Sequence, residues 1–144
     1  MRRTRLSRKT RIRSASPRRA TVKQLDDLLR QLLLARDGGC VVAGQGFGEC
    51  GGALTVSHIR PKGKYPGLRH EPENAAIKCW RHHLHWWHKD VTAAGAWFRA
   101  TYPERAARLD ILVQVRAKPD RTATRIWLEQ QLAGSLASCA PPPL

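Results

Sequence analysis

Ser57-His58-Ile59, Glu73-Asn74-Ala75 and Cys79-Trp80-Arg81-His82-His83-Leu84-His85-Trp86-Trp87-His88 decide how this chain is read. Asn74 follows His58 by sixteen positions, and His83 follows Asn74 by nine. The histidines of the chain, and three of its four cysteines, lie between Cys40 and His88. Imidazoles and thiols gathered this closely rarely serve packing alone. They predict metal binding, here at two sites.

Residues 53–59 alternate and are rich in β-formers, so a strand is expected there, ending near His58. Residues 60–71 hold Pro61, Gly63, Pro66 and Gly67 and read as a basic loop. Residues 73–78 are short and fit either a second strand turn or a helix entry; 79–89 read as a helix. On the N-terminal side, 40–52 is a glycine-rich loop or hairpin. Before it, Leu25, Leu28, Leu29, Leu32 and Leu33 recur at helical spacing. Thr21 and Gln24 look like a capping box, so an amphipathic helix over 22–36 is expected, stopped by Gly38-Gly39. On the C-terminal side, Asp90 caps a helix over 91–101 and Pro103 begins another through about 115. Asp120 caps a last one over 121–133, with Ile126, Trp127 and Leu132 facing inward.

The organisation expected is therefore a disordered basic arm (1–20), an amphipathic helix (21–38), a metal module (39–90), C-terminal helices (91–134) and a disordered tail (135–144). The fold class is α+β, a small zinc-stabilised core with flanking α-helices.

The 144 residues carry a formal charge of +15, from 26 basic and 11 acidic side chains. Residues 1–20 alone hold nine Arg or Lys and no acid. A basic arm on a moderately basic body predicts a polyanionic partner, most simply nucleic acid. No apolar run approaches the ~18 residues of a membrane span, and none behind the basic start makes a secretory signal. Four cysteines, one of them distant at Cys139, do not form a disulfide framework. Mixed with histidines they suggest an intracellular metalloprotein.

Cys40, Cys50, Cys79 and His82 are the expected structural Zn²⁺ ligands. Two come from a loop before a strand and two from a C-x-x-H at a helix start, enough for a tetrahedral site that ties a small module together. Nine residues separate Cys40 from Cys50, far more than a knuckle usually has, so an insertion in the turn is inferred.

With these residues in view, residues 40–90 resemble the HNH, or ββα-metal, nuclease family, in the style of phage HNH proteins and NinG-type recombination nucleases. The likeness rests on S-H-I at 57–59, P-E-N at 72–74, C-x-x-H-H at 79–83 and W-W-H-K at 86–89. W-F-x-x-x-Y-P-E-R at 97–105 also resembles phage members. The resemblance implies a ββα-metal core and a metal-dependent endonuclease acting on DNA. His58 would be the general base, and His83 would hold a catalytic Mg²⁺ or Mn²⁺ with His88 as second ligand. Asn74 would either orient His58 through the loop or reach the metal itself. Arg60, Lys62, Lys64 and Arg69 would border the cleft and clamp phosphates, and a homodimer or a phage recombination partner is compatible.

Three features depart from the family pattern. Ser57 stands where many relatives place a metal-binding Asp or His. His82 replaces the second cysteine. His83 and His88 are five apart, about 140° on a straight α-helix, so either that helix is distorted or His85 takes part. A zinc-stabilised DNA-binding protein that does not cut, or a phage packaging accessory, is the alternative reading.

Overall fold

The computed structural model describes the backbone of residues 17–115 and 118–138 and the side chains of 21–115 and 118–135. The elements run α1 (Pro17–Asp37), β1 (Leu54–His58), β2 (Ala75–Cys79), a π-helix (Arg81–Trp87), α2 (Val91–Thr101), α3 (Pro103–Leu112) and α4 (Arg121–Ser138), with 3₁₀ turns at Pro66–Leu68 and Pro72–Asn74. The architecture is thus mixed, helices around one small antiparallel sheet. No helix among the described residues is long and apolar enough to cross a membrane.

The strands pair Leu54 with Cys79, Thr55 with Lys78, Val56 with Ile77, Ser57 with Ala76 and His58 with Ala75. Directly opposed residues share a face and successive ones alternate. Leu54, Val56, Ala75 and Ile77 meet the leucines of α1, where Leu25, Leu29 and Leu33 are almost fully buried. Thr55 and Lys78 face the other way and touch the π-helix, and Ser57 is bonded to Lys78 on that same face. A second core lies beyond that helix, where Trp87 packs with Phe98 and Ala94 of α2 and Leu109 of α3. The sheet therefore separates two apolar clusters, and its second face is covered rather than solvated.

The entry to β2 is bolted down by polar side chains. Buried Arg105 donates to the carbonyls of Pro72, Glu73 and Ala75. Arg36 donates to those of Pro72 and Ala75. The Asp37 carboxylate accepts from the Ile77 N–H at 2.8 Å. For Ala75 and Ile77 these are main-chain groups that a two-stranded sheet leaves without a ladder partner.

Several expected boundaries move. The first helix begins at Pro17, so Thr21 lies inside it and does not cap it. Proline suits a first helical position because it has no N–H to leave unpaired. Arm and helix thus divide before 17, and the disorder expected for residues 1–16 falls outside the described residues. The third helix stops at Leu112, short of 115. The last continues to Ser138, so 135–138 are helical where a tail was expected, and 139–144 lie outside the described residues. The inward face of α4 is also corrected: Ile126 and Trp127 are 46% and 40% exposed, Leu132 is half-buried, and fully buried Leu128 meets α1. Asp90 and Asp120 cap as expected, accepting from Ala93 and from Thr122 and Ala123.

Candidate metal centre and histidine site

The ligand atoms of Cys40, Cys50, Cys79 and His82 all lie within 4.8 Å of one another, the one such group of His, Cys, Asp or Glu among the described residues. His82 Nδ1 is 3.3 Å from the sulfurs of Cys40 and Cys79 and 3.6 Å from that of Cys50. A tetrahedron with ordinary Zn–S and Zn–N lengths has an S···N edge of about 3.6 Å. Three thiols and one imidazole at this spacing can hold a zinc ion. His82 Nε2 faces the Gly48 carbonyl at 3.2 Å, which places the ring proton there and leaves the Nδ1 lone pair toward the sulfurs. Burial raises the Cys79 thiol, yet the N–H groups of His82 and Gly51, with the neighbouring thiols, pull it down to about 6. A thiol held that low is ready to bind as thiolate.

The long insertion between Cys40 and Cys50 has a structural use. It carries Phe47 to the π-helix, where the ring stacks on Trp86 at 4.2 Å and meets Trp97 edge-on at 6.3 Å. The chain then re-enters the sheet through Gly52 at φ +76°, where a Cβ would stand 2.8 Å from Trp80 Cβ. Only glycine fits there.

His83 and His88 lie side by side, ring centroids 4.9 Å apart. The His88 N–H bonds the His83 carbonyl, the five-residue step of a π-turn. The helix is therefore distorted, and His85 instead packs on Trp80 at 4.6 Å. Thr55 donates its hydroxyl to the Lys78 carbonyl, so it can only accept from His83 Nδ1, 2.8 Å away. The His83 proton is thereby fixed on Nδ1, and Nε2 keeps its lone pair. Burial, then the charges of His88, Lys78, His58 and Lys62, push His83 down to about 4. It is neutral at pH 7, as a ligand must be.

His58 ends β1 with the opposite tautomer. Its Nε2 faces the Arg69 carbonyl at 2.9 Å, so Nε2 carries the proton and Nδ1 the lone pair. Burial lowers its pKa, which keeps the ring unprotonated at neutral pH. By register it follows Val56 on the α1 side of the sheet, whereas Thr55, which holds His83, lies on the other face. Trp87 Nε1 donates to the His58 carbonyl and ties this strand end to the π-helix.

Asn74 is fully buried. It accepts from the Arg60 N–H at 2.7 Å and donates to the carbonyls of Arg60 and Leu68, both at 3.0 Å. Its amide nitrogen thereby bonds both ends of the 60–68 loop, and its oxygen the first of them. The side chain therefore holds the loop, next to the carbonyl that orients His58, and its geometry fits the orienting role rather than a metal ligand.

The four basic loop residues divide. Arg60 pairs with Asp110 and Arg69 with Asp26, while Lys62 and Lys64 are exposed. His70 also bonds Asp26, at 2.8 Å. Sequence reasoning missed Asp26, Thr55 and Lys78. Lys78 is fully buried, with Nζ 3.1 Å from Ser57 Oγ and 3.6 Å from the Trp87 ring centre. The signal for Thr55 and Lys78 was their opposed register, which puts both on the face that the histidine helix covers.

No family model, curated protein or solved structure matches this chain.

Proposed function

We propose that this protein is a metal-dependent endonuclease of the ββα-metal type, acting on DNA phosphodiesters, with the Cys40, Cys50, Cys79 and His82 site filled by structural zinc. One observation carries the reading: His58 and His83 are held in opposite tautomers by main chain and threonine. Nδ1 of His58 is left to take a proton from water, and Nε2 of His83 is left to bind an ion.

Phosphodiester hydrolysis needs both. An imidazole that is neutral at pH 7 can act as general base on the attacking water, and a carbonyl bonded to its other nitrogen stabilises the imidazolium that forms. A divalent cation, Mg²⁺ or Mn²⁺, held by His83 and His88 would offset charge at the phosphorane-like transition state and on the leaving oxygen. Asn74 orients the base by fixing the loop that leads to the Arg69 carbonyl. Lys62 and Lys64, exposed on the same loop, are the side chains free to meet backbone phosphates.

Ser57 favours the second reading, a zinc-stabilised DNA-binding protein that does not cut. Its hydroxyl is occupied by Lys78, so a basic nitrogen stands where an acidic ligand would otherwise be.

The test is supercoiled plasmid incubated with Mg²⁺ or Mn²⁺ and the wild type or His58→Ala. The proposal expects nicking by the wild type and a loss of about a hundredfold or more in the variant, with DNA affinity retained. Plasmid bound but never nicked by the wild type establishes the second reading. Equal nicking by both removes His58 from the chemistry.

A further inference from the structure

A cavity of about 240 Å³ opens beside this site, between the segment after His58 and helices α2 and α3. Ile59, Trp87, Ala94, Phe98 and Leu109 give it apolar walls, and Arg60 and Arg99 also line it. It adjoins the proposed site along the chain: Ile59 follows His58, and Trp87 precedes His88 while bonding the His58 carbonyl.

Two features mark it as more than a packing defect. Two aromatic rings, Trp87 and Phe98, stand in its wall. Arg60 and Arg99 share the single carboxylate of Asp110, so the lining keeps a surplus positive charge. An apolar slot with aromatic walls and net positive charge suits a ligand with a flat π-face and an attached phosphate. A nucleotide has both. The volume is below that of drug-sized pockets, which begin near 300 Å³, and so admits one base rather than a stacked pair.

Resting on the nuclease reading, we propose that this cavity receives the nucleobase next to the scissile phosphate. A base inside a duplex cannot reach such a slot without leaving its stack. The substrate class that follows is DNA with an unpaired nucleotide at the cut: a single strand, a gap or a flap.

Gly95 gives a clean test. It lines the cavity from α2, and a Cβ built on it meets nothing within 4 Å, so Gly95→Leu fills the slot without displacing its walls. The zinc-loaded full chain, without Mg²⁺, is titrated with a single-stranded hexanucleotide carrying 2-aminopurine, with the same strand bearing an abasic site, and with a blunt duplex. The proposal expects Gly95→Leu to weaken the 2-aminopurine strand about tenfold, to the level of the abasic strand in the wild type, and to leave duplex affinity within about twofold. Equal affinity of both proteins for the 2-aminopurine strand overturns it, as does an equal loss on strand and duplex. Cleavage of a flap substrate in Mg²⁺ is measured in parallel. Cutting without a Gly95→Leu effect on binding sinks the base site and spares the nuclease; a binding effect without cutting does the reverse.

Discussion

Replacing Asn74 by alanine tests the link between the loop and the proposed base. The side chain is fully buried and makes three hydrogen bonds, to the Arg60 N–H and to the carbonyls of Arg60 and Leu68. Alanine leaves the Arg60 N–H and carbonyl unpaired at about 1–3 kcal/mol each when water cannot replace the partner, while the Leu68 carbonyl keeps the Glu71 N–H. The loop is partly exposed, so water recovers some of this, and a net loss near ~3 kcal/mol is expected. At roughly 4 °C per kcal/mol for a chain of this size, the zinc-loaded protein should melt about 12 °C lower. Asn74→Asp should do no better. It keeps an acceptor for the Arg60 N–H but sets a carboxylate against two carbonyl oxygens. The second readout is local. Once the loop relaxes, the Arg69 carbonyl leaves His58 Nε2, and the ¹⁵N shifts of that imidazole should move from one tautomer toward a mixture. A variant that melts within about 2 °C of wild type, with His58 still protonated on Nε2, would refute both the energetic and the orienting role.

Two further outcomes are expected. Cys79→Ser, or prolonged chelation of the wild type, should remove bound zinc and lower the melting temperature steeply, because a structural zinc site supplies folding free energy; a protein purified without zinc, and indifferent to chelator, would contradict this. Burial lowers the Lys78 ammonium from 10.5 to about 7, so between those values the unfolded chain binds a proton that the native chain does not. Native stability relative to Lys78→Met should therefore rise from about pH 7 to about pH 10, by at most about 5 kcal/mol. Parallel denaturation midpoints for the two proteins across that range would show that the amine is not held out of water.

Residue type decided what was legible in the sequence. Cys40, Cys50, Cys79 and His82 could be assigned together because thiols beside an imidazole have few other uses, even with Cys40 and Cys50 far apart. The leucines of α1 and the alternation of β1 revealed their elements directly, since a buried face repeats at the period of its backbone. Where apolar residues were sparse the register was free to slip. In α4, Ile126 and Trp127 looked like the inward pair, yet Leu128 is the side chain buried against α1. Lys78 was invisible for a different reason. A lysine between Ile77 and Cys79 reads as the solvent face of a half-buried strand, and only the packing of Trp87 over it turns that face inward.

The five-residue step between His83 and His88 joins the Cys₃His cluster to the histidine pair. In an α-helix those rings would diverge by about 140°, and one ion could not take a nitrogen from each. The π-turn removes that conflict, through a less favoured backbone that persists only where its surroundings fix it. Those surroundings are visible at both ends. Cys79 and His82 hold the start of the helix in the Cys₃His cluster, and Phe47, delivered by the loop between two further ligands, stacks on Trp86 near its end. Consecutive residues His82 and His83 thus take separate duties without competing, the first turned to the sulfurs and the second to Thr55. The long spacing of Cys40 and Cys50, anomalous for a zinc knuckle, becomes intelligible on this view: the inserted residues brace the helix that His88 needs in order to reach His83.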